Sequence, residues 1–315
     1  MLTLGLDTSN YATSLAVFDT RAGEVVCDCK RFLPVRPGQL GLRQSDAVFH
    51  HTAALPELLE ELGKKADLTC IEAVGVSAKP RPVEGSYMPC FLVGVSAATA
   101  FCAARGLPLV KTTHQQGHLA AAMFAAKGAE LFGQELLVFH VSGGTTDLLH
   151  LEQTGQVTTI GTSTDLYAGQ AVDRLGVRLG FPFPAGAQVS ACAAACKEDV
   201  HPRASVRGYD CSLSGLQNQC EKLLAQGQSE AYVCKYCLLS VAKTLYLMAK
   251  AAQADFPGLP IVFAGGVMSS TLVQMYLHTR LSQALFVPGK FASDNAIGVA
   301  LLAAREVGAW PTISG

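Results

Sequence analysis

The chain has 315 residues, 50% of them hydrophobic and 16% charged, with 24 Lys and Arg against 25 Asp and Glu. That length buries one large core or two ordinary domains, and with so balanced a charge an RNA partner would need a local basic patch or a helper subunit. The longest apolar stretches break well before the roughly 18 residues a bilayer span needs, so no membrane partner is expected.

The first segment, Leu2 to Asp7, reads as a short apolar strand. It lacks the positive n-region of a secretory signal, and the expected location is the cytoplasm. Asp7-Thr-Ser-Asn10 then reads as a turn, with Ala12 to Phe18 returning as a second strand. Ala53 to Lys65 has helical apolar spacing, Ile71 to Ser77 is a buried strand, and Val93 to Arg105 is a helix of small residues. Leu107 to Val110 is a short strand that tolerates Pro108 only at its start. His114 opens the next helix, which runs to Ala126. Leu136 to Val141 is a strand that feeds Ser142-Gly-Gly-Thr-Thr146, and Asp147 to Leu151 is its hairpin partner. Pro260 to Ala264 is a strand ending in Gly265-Gly266, with a helix from Ser269, and Asn295 to Glu306 is the last helix. Strand, polar turn and strand thus occur twice, near 7–13 and 142–148. Strands alternating with helices in two similar halves argue for an α/β fold of two lobes around a central cleft, joined near residue 110.

Within this frame, His114-Gln-Gln-Gly-His118 places two imidazoles on one helix face, close enough to share a metal ion. On its own the spacing also arises by chance, and surface or core histidines are the simpler reading of it. Eleven Cys are scattered through apolar segments and read as small core residues of a reducing compartment. Cys234-Lys-Tyr-Cys237 lacks a second pair at zinc-ribbon spacing and reads the same way, with a redox or metal role as the alternative. Asp7-Thr8-Ser9 and Ser142-Gly-Gly-Thr145 carry the hydroxyls and backbone N–H groups that cradle phosphates without a lysine. Gly265-Gly266 after a strand allows close approach of a flat ligand. Each loop alone is an ordinary turn. In this order they look like the actin-type ATPase fold of sugar kinases and heat-shock chaperones.

Several motifs then resemble one family. His114-x-x-x-His118 with Leu119-Ala, Val141-Ser-Gly-Gly144, Gly169-Gln-Ala-Val-Asp173, Leu179-Gly180, Pro184-Ala-Gly186, Ser212-Leu-Ser-Gly-Leu216, Ala264-Gly-Gly-Val267 and Ser293-Asp-Asn-Ala296 stand in the order found in it. The chain resembles the tRNA threonylcarbamoyladenosine transferases, also labelled O-sialoglycoprotein endopeptidases or glycoproteases, as a diverged bacterial paralogue. The resemblance implies an actin-like ATPase (ribonuclease H-like) fold, with residues 1–110 as one lobe, joined by the C-terminal helix 297–315. Residues 111–296 would form the other lobe, with the metal and nucleotide site. The implied reaction moves a threonylcarbamoyl group from threonylcarbamoyl-adenylate to N6 of adenosine 37 in tRNA. By the same resemblance, His114, His118 and Asp294 would bind one divalent ion, Fe2+ or Zn2+, with His140 as a fourth ligand where some members carry Tyr. Val141, Ser142, Gly143, Gly144 and Thr145 would hold phosphate, with Asp7, Thr8 and Ser9 as a first phosphate loop. Asp173 and Gly186 would hold the ribose of ATP or an adenylate, and Gly265, Gly266 and Ser270 would line the same nucleoside. The implied partners are tRNA, a paralogous actin-fold subunit and a small ATPase.

Departures from the family pattern are as specific as the matches. The acidic pair after the first strand is Tyr11 and Ala12, and the Gly-Pro-Gly segment is Lys79 to Tyr87. The phosphate-loop His is Thr145, the Asn after Gly-Gly-Val is Ser270, and the Glu beside Gly169 is Gln170. Two other functions therefore stand beside transfer to tRNA: a non-catalytic subunit that binds nucleotide and metal, and carbamoyl transfer to another acceptor. A kinase reading lacks a catalytic Asp in sugar-kinase context. The peptidase label has no H-E-x-x-H to support it.

Overall fold

The computed structural model describes residues 1–9, 11–34, 42–288 and 295–310. The opening strands β1 (Leu2–Ser9) and β2 (Ala12–Asp19) pair antiparallel with Ser9 opposite Ala12, and β3 (Glu24–Phe32) adds to β2. Then come α1 (Gln44–Gly63), β4 (Ile71–Lys79), α2 (Phe91–Arg105), β5 (Leu109–Thr113) and α3 (His114–Lys127). The sheet order is β3-β2-β1-β4-β5, with β4 parallel to β1 and β5 parallel to β4. Leu4, Leu6, Leu15, Val17, Val74 and Val76 of the sheet meet Leu55, Leu58 and Leu62 of α1 and Ala98 and Cys102 of α2 in one core.

The chain continues with β6 (Leu136–Val141), β7 (Thr146–Leu151), β8 (Val157–Thr162), α4 (Ala168–Arg178) and α5 (Gly186–Ala194). A small hairpin, β9 (Val206–Arg207) and β10 (Asp210–Cys211), precedes α6 (Ser214–Ala225) and the long α7 (Glu230–Asp255). β11 (Ile261–Ala264), α8 (Thr271–His278) and β12 (Ala284–Phe286) complete a second sheet in the order β12-β11-β6-β7-β8. Read from its other edge, that order repeats the first sheet: an antiparallel meander, then two parallel crossover strands. Phe139 of β6 and Phe263 of β11 stack with centroids 4.8 Å apart, in a core shared with Val233, Leu238, Val241 and Leu245 of α7.

The last helix, α9 (Asn295–Glu306), packs on the first sheet. The chain divides into two compact units, Met1–Phe132 with α9 and Gly133 through β12. The sequence reading put the join near residue 110; in the structure β5 still pairs with β4, and α3 lies against α9. A Cβ at Gly298 of α9 would stand 1.8 Å from the Gly117 carbonyl oxygen of α3, so the two helices touch backbone to backbone. Other boundaries differ locally. β1 runs on through Ser9 instead of turning at Asp7, α1 begins at Gln44 ahead of Ala53, and a 3-10 turn at Gly266–Ser269 precedes α8. Among the described residues, no helix is long and apolar enough to cross a membrane.

Candidate functional site

In the first unit, the start of α3 is fixed by a capping box. The Thr113 hydroxyl accepts the Gln116 N–H at 3.2 Å, and Gln116 Oε1 accepts the Thr113 N–H at 3.2 Å. His114 is therefore the first helical residue and His118 lies one turn on, with their Nε2 atoms 3.2 Å apart. Two nitrogens on one tetrahedral ion, each bonded at about 2.0–2.1 Å, stand roughly 3.3 Å apart, so the pair fits a shared ion.

On the other edge of the His114 ring, Nδ1 lies 3.1 Å from Asp7 Oδ1. Asp7 is 1% exposed. Burial opposes its charge, but the adjacent His114, by charge and hydrogen bond, outweighs that and holds the carboxyl well below the usual carboxylate range. The Ser77 hydroxyl adds to the same effect from outside the geometry of a full hydrogen bond. Next along β1, the Thr8 hydroxyl donates to the Cys90 carbonyl at 3.0 Å and accepts the Gly94 N–H at 3.2 Å, tying the strand to α2. Asp7, Thr8 and Ser9 are thus strand residues, where the sequence suggested a turn, and the first two have side chains that meet His114 and α2. Asp294 lies outside the described residues. Among the described residues, no group of three or more His, Cys, Asp or Glu is placed to hold one ion.

The second unit gathers most of the glycine motifs. The Ser142 hydroxyl accepts the N–H groups of Gly144 (3.1 Å) and Thr145 (3.2 Å), and the Ser142 N–H donates to the Thr145 carbonyl at 2.9 Å. Thr145 Oγ1 lies 3.2 Å from His140 Nδ1, so His140 on β6 braces this loop. The Gly169 N–H donates to the Ser142 carbonyl at 3.1 Å, and a Cβ on Gly169 would stand 2.5 Å from Gly143 N. Only glycine lets α4 abut the loop so closely. One turn on, Asp173 Oδ1 accepts the Ala185 N–H at 2.8 Å, beside Gly186, while Oδ2 faces Gly143. Gly265 has φ 105°, and a Cβ there would meet the Val141 carbonyl oxygen at 2.2 Å. Around Gly144, Gly186 and Gly266 the space a Cβ would enter is open. Ser270 is 5% exposed, and its buried hydroxyl has no hydrogen-bond partner among the described residues.

Two residues named from the sequence make contacts that the sequence did not indicate. The role of Asp7 was signalled by a carboxylate inside an apolar strand, which needs a partner when buried. Gly169, a motif glycine, is a contact residue of the loop. Cys234 and Cys237 sit fully buried in α7. Burial raises the Cys234 thiol, and a hydrogen bond with Cys220, then burial, raises Cys237, so both stay protonated and serve as packing residues.

A family model described as tRNA N6-adenosine threonylcarbamoyltransferase, TsaD, matches residues 16–301. The tRNA N6-adenosine threonylcarbamoyltransferase of Streptococcus suis (strain 05ZYH33) is 30% identical, across 97% of this chain and 92% of its own. Among solved structures, HypF of T. kodakarensis superposes with a TM-score of 0.63 at 12% identity, covering 98% of this chain and 47% of HypF. The ROK hexokinase from Thermus thermophilus gives 0.57 at 14% identity, covering 98% and 99%. At such identities these likenesses show the fold, which is the actin-like ATPase fold. With the family model spanning most of its length, the chain belongs to the TsaD family of tRNA N6-adenosine threonylcarbamoyltransferases.

Proposed function

We propose that the protein transfers a threonylcarbamoyl group from threonylcarbamoyl-adenylate to N6 of adenosine 37 in tRNA, in the compartment that holds tRNA. The observation that carries this reading beyond family membership is the 3.2 Å approach of the His114 and His118 Nε2 atoms, with Asp7 behind His114. These two imidazoles, with Asp294 by family pattern, would hold one divalent ion, Fe2+ or Zn2+, which would supply a Lewis acid for the carbamoyl oxygen. In the second unit, the Val141 to Thr145 loop would bind the phosphate of the adenylate and Asp173 the ribose hydroxyls, with Gly186, Gly265, Gly266 and Ser270 around the nucleoside. The open space over the glycines and the orphaned Ser270 hydroxyl support a ligand there. In the reaction, adenine N6 attacks the carbamoyl carbon and the bond to the AMP phosphate oxygen breaks. AMP leaves with that electron pair, and N6 gives up a proton to solvent. An exocyclic adenine amine is a weak nucleophile, so holding the two substrates in place supplies much of the rate. The partners on this reading are tRNA, a paralogous actin-fold subunit and a small ATPase.

One observation favours a second reading, a nucleotide- and metal-binding subunit or a transferase for another acceptor. At the family's acidic pair, Tyr11 is exposed and Ala12 is buried in β2, so neither side chain offers a carboxylate to orient substrate. The deciding assay is incorporation of labelled threonine into unmodified tRNA, with bicarbonate, ATP, an adenylate-forming synthase and the helper proteins supplied. Incorporation that disappears in His114→Ala is the expected result. None in any combination, with metal and nucleotide bound, moves the function to the second reading.

A further inference from the structure

We propose that Asp7 is the outer carboxylate of the metal centre. It accepts the Nδ1–H of His114, which fixes the tautomer that leaves the Nε2 lone pair for the ion. The inference rests on the metal reading above and adds a positioning residue to it. The geometry separates the two roles of the ring. Nε2 faces His118 at 3.2 Å, while Nδ1 on the opposite edge faces Asp7 Oδ1 at 3.1 Å. A carboxylate on the Nδ1 side cannot also bind an ion held between the Nε2 atoms, so Asp7 acts only through the imidazole. Metal-binding histidines commonly donate their second N–H to such a group, which orients the ring and raises its basicity.

The strand makes Asp7 a rigid partner. It lies opposite Ser14 in the β1–β2 ladder, and the next residue, Thr8, is pinned to Cys90 and Gly94 of α2. The capping box at Thr113 holds His114 from the other side. Strand and helix thus fix the carboxylate and the imidazole independently, with little side-chain freedom left to lose on binding.

Wild type, Asp7→Asn, His114→Ala and the double variant, stripped with chelator, are titrated with Zn2+ and with Fe2+ against a chromophoric competitor. Asp7→Asn is expected to weaken binding by about 10- to 100-fold. In the His114→Ala background the same change should have no further effect, because the route through the ring is gone. Nitrogen-15 NMR of the apo wild type should show His114 as the Nδ1–H tautomer, a readout that loss of strand packing alone does not move. A wild type that binds neither ion overturns the metal reading and this inference with it. A wild type that binds, with a folded Asp7→Asn variant of equal affinity, overturns the role of Asp7 alone. Should that variant fail to fold, the wild-type tautomer decides: Nε2–H at His114 overturns the proposal.

Discussion

At the scale of single residues, half-buried Asp173 in the second unit and buried His51 in the first each offer a test. Asp173 already accepts the Ala185 N–H through Oδ1, with Oδ2 turned towards Gly143. Hydrogen bonds from ribose hydroxyls to such a carboxylate contribute about 1.5–3 kcal/mol. Asp173→Ala should therefore shrink the rise in melting temperature given by ATP or AMP, with affinity falling roughly 10- to 100-fold. The ligand-dependent shift is the quantity to read, because losing the Ala185 bond lowers the ligand-free melting point as well; equal shifts would put the ribose elsewhere. His51 offers a pH test. It is fully buried in α1 with Nδ1 2.7 Å from Thr13 Oγ1, and burial lowers its pKa below the ordinary 6.5. The unfolded chain then takes up this proton first on acidification. The contribution of neutral His51 is complete above about pH 6.5 and is lost as pH falls from there through the folded value. Melting curves from about pH 8 to about pH 5 should fall less steeply for His51→Gln than for wild type. Parallel slopes would mean His51 does not titrate in this range.

At the scale of elements, the contact of α3 with α9 and the cap of α3 place the histidine pair. Thr113→Ala removes the side-chain acceptor for the Gln116 N–H, a loss of about 1 kcal/mol. A fall of a few degrees in melting temperature and weaker metal binding should follow, since the first turn carries His114 and sets its approach to His118 one turn on; unchanged metal affinity would show the turn is held by other contacts. Gly298→Ala separates two opposing effects. Helix propensity alone favours Ala by about 1 kcal/mol. The new Cβ, however, would stand 1.8 Å from the Gly117 carbonyl, and overpacking of this kind costs about 1–3 kcal/mol or more. We expect net destabilisation by calorimetry, and a stabilised variant would contradict the backbone contact. The edge strand β3 shows why some elements escaped the sequence reading. Glu24, Asp28, Lys30 and Arg31 interrupt its apolar pattern, and its pairing to β2 is made by backbone groups that periodicity does not report.

At the scale of the whole molecule, the balance of 24 basic against 25 acidic residues bears on how tRNA would be held. A protein making few phosphate contacts has a shallow salt dependence and weak binding of its own. The chain alone should bind tRNA weakly, with an affinity that changes little between about 50 and about 200 mM salt, and the helper subunits proposed above should raise it. Filter binding across a salt series checks this, and tight salt-resistant binding by the isolated chain would remove the need for partners. The two sheets, each a meander followed by two parallel strands, are the structural form of the repeat visible near residues 7–13 and 142–148.

The sequence by itself determined the α/β class, most strands and helices, the same-face placement of His114 and His118, and the family. These follow from short-range periodicity and from motifs whose spacing survives divergence. Only the tertiary structure decided that Asp7 meets His114, 107 residues away. It alone showed that Gly169 abuts the Ser142 loop and that α3 stays with the first sheet through its contact with α9. Local sequence fixes which way a side chain points along its own helix or strand. Which distant group it then meets depends on sheet order and helix packing, where one carboxyl can serve a phosphate loop or a histidine with no change in its neighbours along the chain.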